Sequence, residues 1–184
     1  MILPVYVYGQ PVLRKVAEEI DANYEGLDQL IDDMYETMYK AEGVGLAAPQ
    51  IGLPIRLFVI DATPMEEDYP DLKGFKKVFI NAEIIEREGE KVNDSEGCLS
   101  LPNIREDVLR PSKVRIIYYD QDFVEHDEEY EGFAARIIQH EYDHIEGKLF
   151  IDYLSPLRKR FLKSKLTAIS KGNVDISYRI KTVK

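Results

Sequence analysis

Two of the chain's three histidines, His140 and His144, stand one helical turn apart in QHEYDH (139–144), with Glu141 between them. Side chains at i and i+4 project from one helix face, so the two imidazoles can hold one ion together. A catalytic zinc usually takes three ligands from the protein. A third ligand is therefore required, and its identity separates the possible enzymes.

A peptidase of the H-E-x-x-H-x-x-G-x-x-H type would keep Gly147 but needs histidine where this chain has Phe150. Peptidases that take a distal glutamate are disfavoured, because no Glu or His follows Glu146. What remains is Asp152, Asp175 or a residue upstream. His126 lies in the acidic run VEHDEEYEG, the usual setting of a solvated histidine. Cys98, the only cysteine, lies in DSEGCLSLP, where Gly97 lets the backbone come close and Pro102 ends the segment. A lone cysteine is more often a small buried hydrophobe. Beside two imidazoles, however, its thiolate completes a donor set suited to zinc or iron(II), which favours Cys98.

The elements that must carry these residues follow from periodicity. Leu27, Leu30, Ile31, Met34 and Met38 recur at helical spacing over 26–42. GVGLAAPQIGLP (43–54) is too rich in Gly and Pro for a regular helix or a long central strand. IRLFVID (55–61), KVFINAEII (77–85) and KVRIIYYD (113–120) read as strands, with a surface insertion at 62–74. The acidic run 124–132 reads as an exposed edge strand. The histidine helix spans 133–146 and is closed by Gly147; Ser155 caps a third helix that Gly172 ends. The tail 173–184 alternates Ile176, Tyr178 and Ile180, as a strand would. The expected class is α+β, with antiparallel or mixed sheets around the central metal-binding helix, a C-terminal helix and a tail strand.

The length of 184 residues fits one domain, 1–184. No apolar run approaches the ~20 residues of a membrane span, and the N-terminus lacks a signal-peptide pattern. A cytosolic location is expected, with no membrane partner. A net charge of −10 argues against DNA and general nucleic-acid binding. The charge is uneven, however. Residues 155–184 hold nine Lys or Arg against one acidic residue, a formal +8 set against −18 for the rest. Such asymmetry points to a polyanionic partner.

Three segments in order, GVGLAAPQIG (43–52), EGCLS (96–100) and QHEYDH (139–144), resemble the three motifs of the peptide deformylases, and PVLRKVA and GKLFIDYL look familial too. The resemblance implies removal of formyl from the N-terminal formyl-methionine of new polypeptides, with release of formate. It implies one divalent metal, iron(II) by preference with zinc, nickel or cobalt admitted, held by Cys98, His140 and His144 with water in a fourth position. Glu141 would be the general base. The Gln50 side-chain amide and the Leu99 N–H would receive the developing oxyanion, with Pro49 fixing Gln50.

Gly45 would lie alongside an extended substrate, and Val44, Phe133 and Ile137 would line an apolar methionine pocket. Arg136 departs from the apolar residue many members carry there. Glu96 and Arg110 are candidate supports of the histidines, and a Glu42–Arg110 pair would brace the first loop. In some relatives the C-terminal helix docks on the ribosome, which gives the basic tail a partner. Two other readings compete. One is another metallohydrolase, such as a peptidase, with Cys98 inert. The other is a structural zinc module, for which His126 would have to be a fourth ligand.

Overall fold

The computed structural model describes residues 1–183. Its main sheet is five-stranded and antiparallel, in the order β2 (Gly45–Ala47), β3 (Leu57–Asp61), β4 (Lys76–Cys98), β5 (Leu101–Tyr119), β6 (Glu125–Glu131). The two chain ends form a second sheet, in which β1 (Val5–Tyr6) pairs in parallel with β7 (Ile180–Lys181). Three helices complete the fold: α1 (Leu27–Lys40), α2 (Gly132–Ile145) and α3 (Pro156–Ser170). Lys184, the last residue of the expected tail strand, lies outside the described residues. Among the described residues no helix is long and apolar enough to cross a membrane.

β3 explains the layering. Phe58 and Ile60 pack with Ile137, Ile138 and Tyr142 of α2, while Leu57 and Val59 pack with Ile31, Met34 and Met38 of α1. Alternate side chains of a strand point to opposite faces, so a helix on each face demands an unbroken apolar run. LFVID supplies it, and all five residues are buried. A third cluster seats α3, whose Leu162, Leu166 and Ile169 pack with Leu101, Ile104, Val108 and Phe150.

Some expectations are corrected and others extended. The strands read at 77–85 and 113–120 are the ends of one long hairpin, β4 paired with β5. Pro102 therefore lies inside β5 and does not end the Cys98 segment. Pro111 is tolerated in β5 where the register slips between Glu88 and Lys91, since a bulge relieves the missing ladder donor. The Gly- and Pro-rich loop contains the short strand β2 before a 3-10 turn at Ala48–Ile51. The tail is strand only at Ile180–Lys181, although Val174, Ile176, Tyr178 and Ile180 do alternate as half-buried residues. The insertion at 62–74 is two 3-10 turns, Thr63–Met65 and Pro70–Leu72.

Candidate metal centre

α2 carries His140, Glu141 and His144 and stops where expected. Gly147, at φ 73°, takes the left-handed conformation that ends a helix cheaply only for glycine. Cys98 ends β4, where a register slip after Gly97 opens the two-residue turn Leu99–Ser100. That turn aims the thiol at the helix: Sγ lies 3.4 Å from His144 Nε2, and ligand atoms of Cys98, His140 and His144 all lie within 4.8 Å of one another. His126 is elsewhere, on β6, with its Nε2 2.7 Å from Asp120. Asp152 accepts from Arg14 at 2.7 Å, and Asp175 is exposed. Among the described residues no fourth His, Cys, Asp or Glu joins the three.

Beneath the cluster is a buried ionic network. The Glu96 carboxylate accepts from His140 Nδ1 at 2.9 Å, from Arg110 Nε and Nη2 at 2.6 and 2.9 Å, and from Arg136 Nη1 at 2.5 Å. Arg110 Nη1 also donates to Asp143 at 2.9 Å, and Asp143 accepts from Tyr153 at 3.0 Å. Two carboxylates thus face two guanidiniums, which is what burial of charge requires. The expected Glu42–Arg110 pair does not form, because Arg110 is committed to Glu96 and Asp143 while Glu42 is exposed. The head group of Arg136 is likewise occupied, by Glu96 and the carbonyls of Val92 and Val108. It braces the network, and Arg136 also lines the cavity described below.

The Glu96 contact places a proton on His140 Nδ1 and leaves its Nε2 toward the cluster. His144 Nδ1, by contrast, is buried without a partner. Burial alone would push His140 down, yet hydrogen bonds with Cys98 and Glu96 raise it well above its ordinary value. Burial and the neighbouring His140 hold His144 well below. One cysteine sulfur and two imidazole nitrogens converging this closely fit a divalent ion of borderline softness.

Glu141 is buried, and its Oε2 has no partner. Burial pushes its carboxyl up to about 7, against a smaller lowering by His140. Gly45 explains how the loop and helix meet: a Cβ there would fall 2.5 Å from Glu141 Oε1. Gln50 is fixed at both ends, its Oε1 accepting from Ala47 N–H at 2.9 Å and its Nε2 donating to Ser100 Oγ at 3.1 Å, with Cys98 Sγ 3.5 Å away.

A cavity of about 480 Å³ opens onto this cluster. Val44, Gly45, Gln50, Leu99, Phe133, Ile137 and Glu141 all line it. Among the further lining residues, Met65 of the insertion and Ile176 and Tyr178 of the tail carry no site signal of their own in the sequence. The insertion also places Tyr69 against Phe133, ring centroids 4.5 Å apart. Only the tail's alternation hints at these residues, since their partners are remote in the chain.

A family model described as polypeptide deformylase matches residues 2–160. The peptide deformylase of Flavobacterium psychrophilum is 55% identical over 190 residues, covering 100% of this chain and 98% of that one. That of Salinibacter ruber is 46% identical over 186 residues, covering 99% and 95%. Among solved structures, the peptide deformylase of Thermus thermophilus superposes with a TM-score of 0.81 at 40% identity, covering 94% of this chain and 99% of its own. The Legionella pneumophila peptide deformylase gives 0.81 at 38%, covering 94% and 98%.

Proposed function

We propose a residue-level mechanism from one premise: this chain belongs to the polypeptide deformylase family. As a member it is a hydrolase that removes the N-formyl group from the N-terminal formyl-methionine of newly synthesised proteins and releases formate. The siting rests on one observation: a single cavity, lined in part by an apolar wall, reaches a buried carboxylate with a free oxygen and, at Cys98 and His140, the cluster of three metal donors.

The family is metal-dependent, and Cys98, His140 and His144 are the residues that would hold the ion. A divalent cation there supplies Lewis-acid polarisation and lowers the pKa of a water toward ~7. Iron(II) is the ion the family resemblance favours, and the donor set equally admits zinc, nickel or cobalt.

The chain's own groups do the rest. β2 is an edge strand, so its Gly45 backbone is open for an extended substrate to lie alongside. Val44, Phe133 and Ile137, with Met65 beside them, offer the flexible methionine side chain an apolar pocket. Glu141 takes a proton from the attacking water as its oxygen bonds to the formyl carbon. The carbon–nitrogen bond then breaks, and Glu141 returns the proton to the leaving amine. The Gln50 amide and the Leu99 N–H receive the negative charge on the formyl oxygen, with Gln50 held ready by Ala47 and Ser100.

The partner reading extends to the ribosome, in the cytosol where formylated chains emerge. Lys159, Arg160, Lys163 and Lys165 of α3 are exposed, while Arg158 is held by Glu106.

The test is Glu141→Gln, which keeps shape and all three ligands but removes the proton carrier. Metal content measured by elemental analysis should match the parent, and formate release from a formyl-Met peptide should be nearly abolished. Activity within tenfold of the parent, a barrier change of only ~1.4 kcal/mol, is too little for a lost proton shuttle and would overturn the assignment.

A further inference from the structure

The turn that follows Cys98 is gripped by the two ends of the chain. Tyr8 N–H, just past β1, donates to the Ser100 carbonyl at 3.0 Å, and Ser100 Oγ donates to the Tyr6 carbonyl at 2.7 Å. From the other end, the Tyr178 hydroxyl donates to the Leu99 carbonyl at 2.7 Å. The pairing of β1 with β7 ties these anchors to one another. Tyr178 is half-buried and lines the cavity, and it lies beyond residue 160, where the match to the family model ends.

Leu99 is joined to its neighbours by two peptide planes. Its N–H belongs to the plane shared with Cys98, and its carbonyl to the plane shared with Ser100. Ser100 is locked by Tyr6, Tyr8 and Gln50. The Leu99 carbonyl has Tyr178 as its side-chain anchor. Both planes hinge on the Leu99 Cα, so a carbonyl released from Tyr178 lets that Cα shift and carries the N–H with it.

Resting on the mechanism above, we propose that Tyr178 is a positioning residue. Through the Leu99 carbonyl, its hydroxyl keeps the Leu99 N–H aimed at the formyl oxygen as charge develops there. The donor is thereby pre-oriented, which is where such groups gain their advantage over water. The tail is then part of the working site and not only a lid on the core.

The experiment is Tyr178→Phe in the metal-loaded full chain, assayed on a short formyl-Met peptide. The ring stays, so the cavity wall and its packing are kept. Losing one oxyanion donor outright costs ~10²–10³ in kcat, so misaiming it should lower kcat about five- to tenfold. KM should stay within about twofold and metal content should equal the parent's. In the metal-free protein, amide hydrogen exchange of the Leu99–Ser100 segment should quicken. An unchanged kcat, or a loss of kcat matched by loss of metal, overturns the positioning role. Unchanged exchange in that segment overturns the anchor itself. If the parent releases no formate, the mechanism above fails and the catalytic consequence falls with it, while the exchange result still decides whether the hydroxyl holds the turn.

Discussion

Replacing Glu96 with Gln removes the charge on which the buried network turns. Its carboxylate accepts from two arginines and His140 while 5% exposed. Burial pushes the carboxyl up, but the hydrogen bonds from His140 and Arg110 outweigh it and hold Glu96 at about 2, against an ordinary 4.5. At ~1.4 kcal/mol for each tenfold in proton affinity, that depression is worth about 3 kcal/mol of folding stability. Breaking a buried ion pair generally costs ~3–5 kcal/mol, so the two routes agree. Because the folded-state value is depressed, the contribution is complete above the unfolded value of 4.5 and is lost as pH falls toward 2. For a chain of this length, ~3 kcal/mol corresponds to a fall in Tm of ~6–12 °C. Thermal denaturation of the metal-free protein in chelator at pH 7 reads this without interference from metal binding. The parent should also lose stability between pH 4.5 and 2 more steeply than the variant. A variant Tm within ~2 °C of the parent, with parallel acid profiles, would refute the network's energetic role.

Three further outcomes are expected. Gly45→Ala drives a methyl to within 2.5 Å of Glu141 Oε1, so it should cut kcat at least ~30-fold while Tm falls by only a few degrees; full activity would mean that Glu141 can work without its close approach to β2. Iron(II)-loaded protein should lose activity in air or in peroxide with oxidation of Cys98, and anaerobic handling without peroxide should protect it; inactivation with Cys98 intact by mass spectrometry would count against thiolate ligation. Neutralising Lys159, Arg160, Lys163 and Lys165 should abolish low-salt co-sedimentation with ribosomes yet spare short-peptide activity, because phosphate contacts act through counterion release; equal co-sedimentation would sink the docking role.

What the chain discloses to a reader depends on whether the information is local. The apolar spacing over 26–42 predicts α1, which runs Leu27–Lys40, because its buried Ile31, Met34 and Met38 repeat with the helix. β3 is legible for the opposite reason, an unbroken apolar run buried on both faces. The outer half of the β4–β5 hairpin is not. From Glu86 to Asn93 its side chains are exposed or nearly so, and a ribbon wet on both faces carries no apolar alternation to detect. Its existence is decided by pairing with a partner strand.

The same distinction runs through the site. QHEYDH, EGCLS and GVGLAAPQIG are each contiguous, so the residues that the structure brings together can be named from short segments. Arg110 cannot be assigned a partner this way. Thirty-four acidic residues compete for it, and Glu42 is no less plausible in sequence than Glu96 or Asp143. The choice is made by geometry: β5 sets Arg110 opposite Val92, four residues before Glu96, while α2 brings Asp143 down between the two histidines. Tyr178 is the extreme case, 79 residues from the carbonyl it holds. Its alternating neighbours announce a strand, but the ladder closes only at Ile180–Lys181, and Tyr178, just before it, sends its hydroxyl to the turn that follows Cys98. A segment that fails as a strand is thereby available to act on the site.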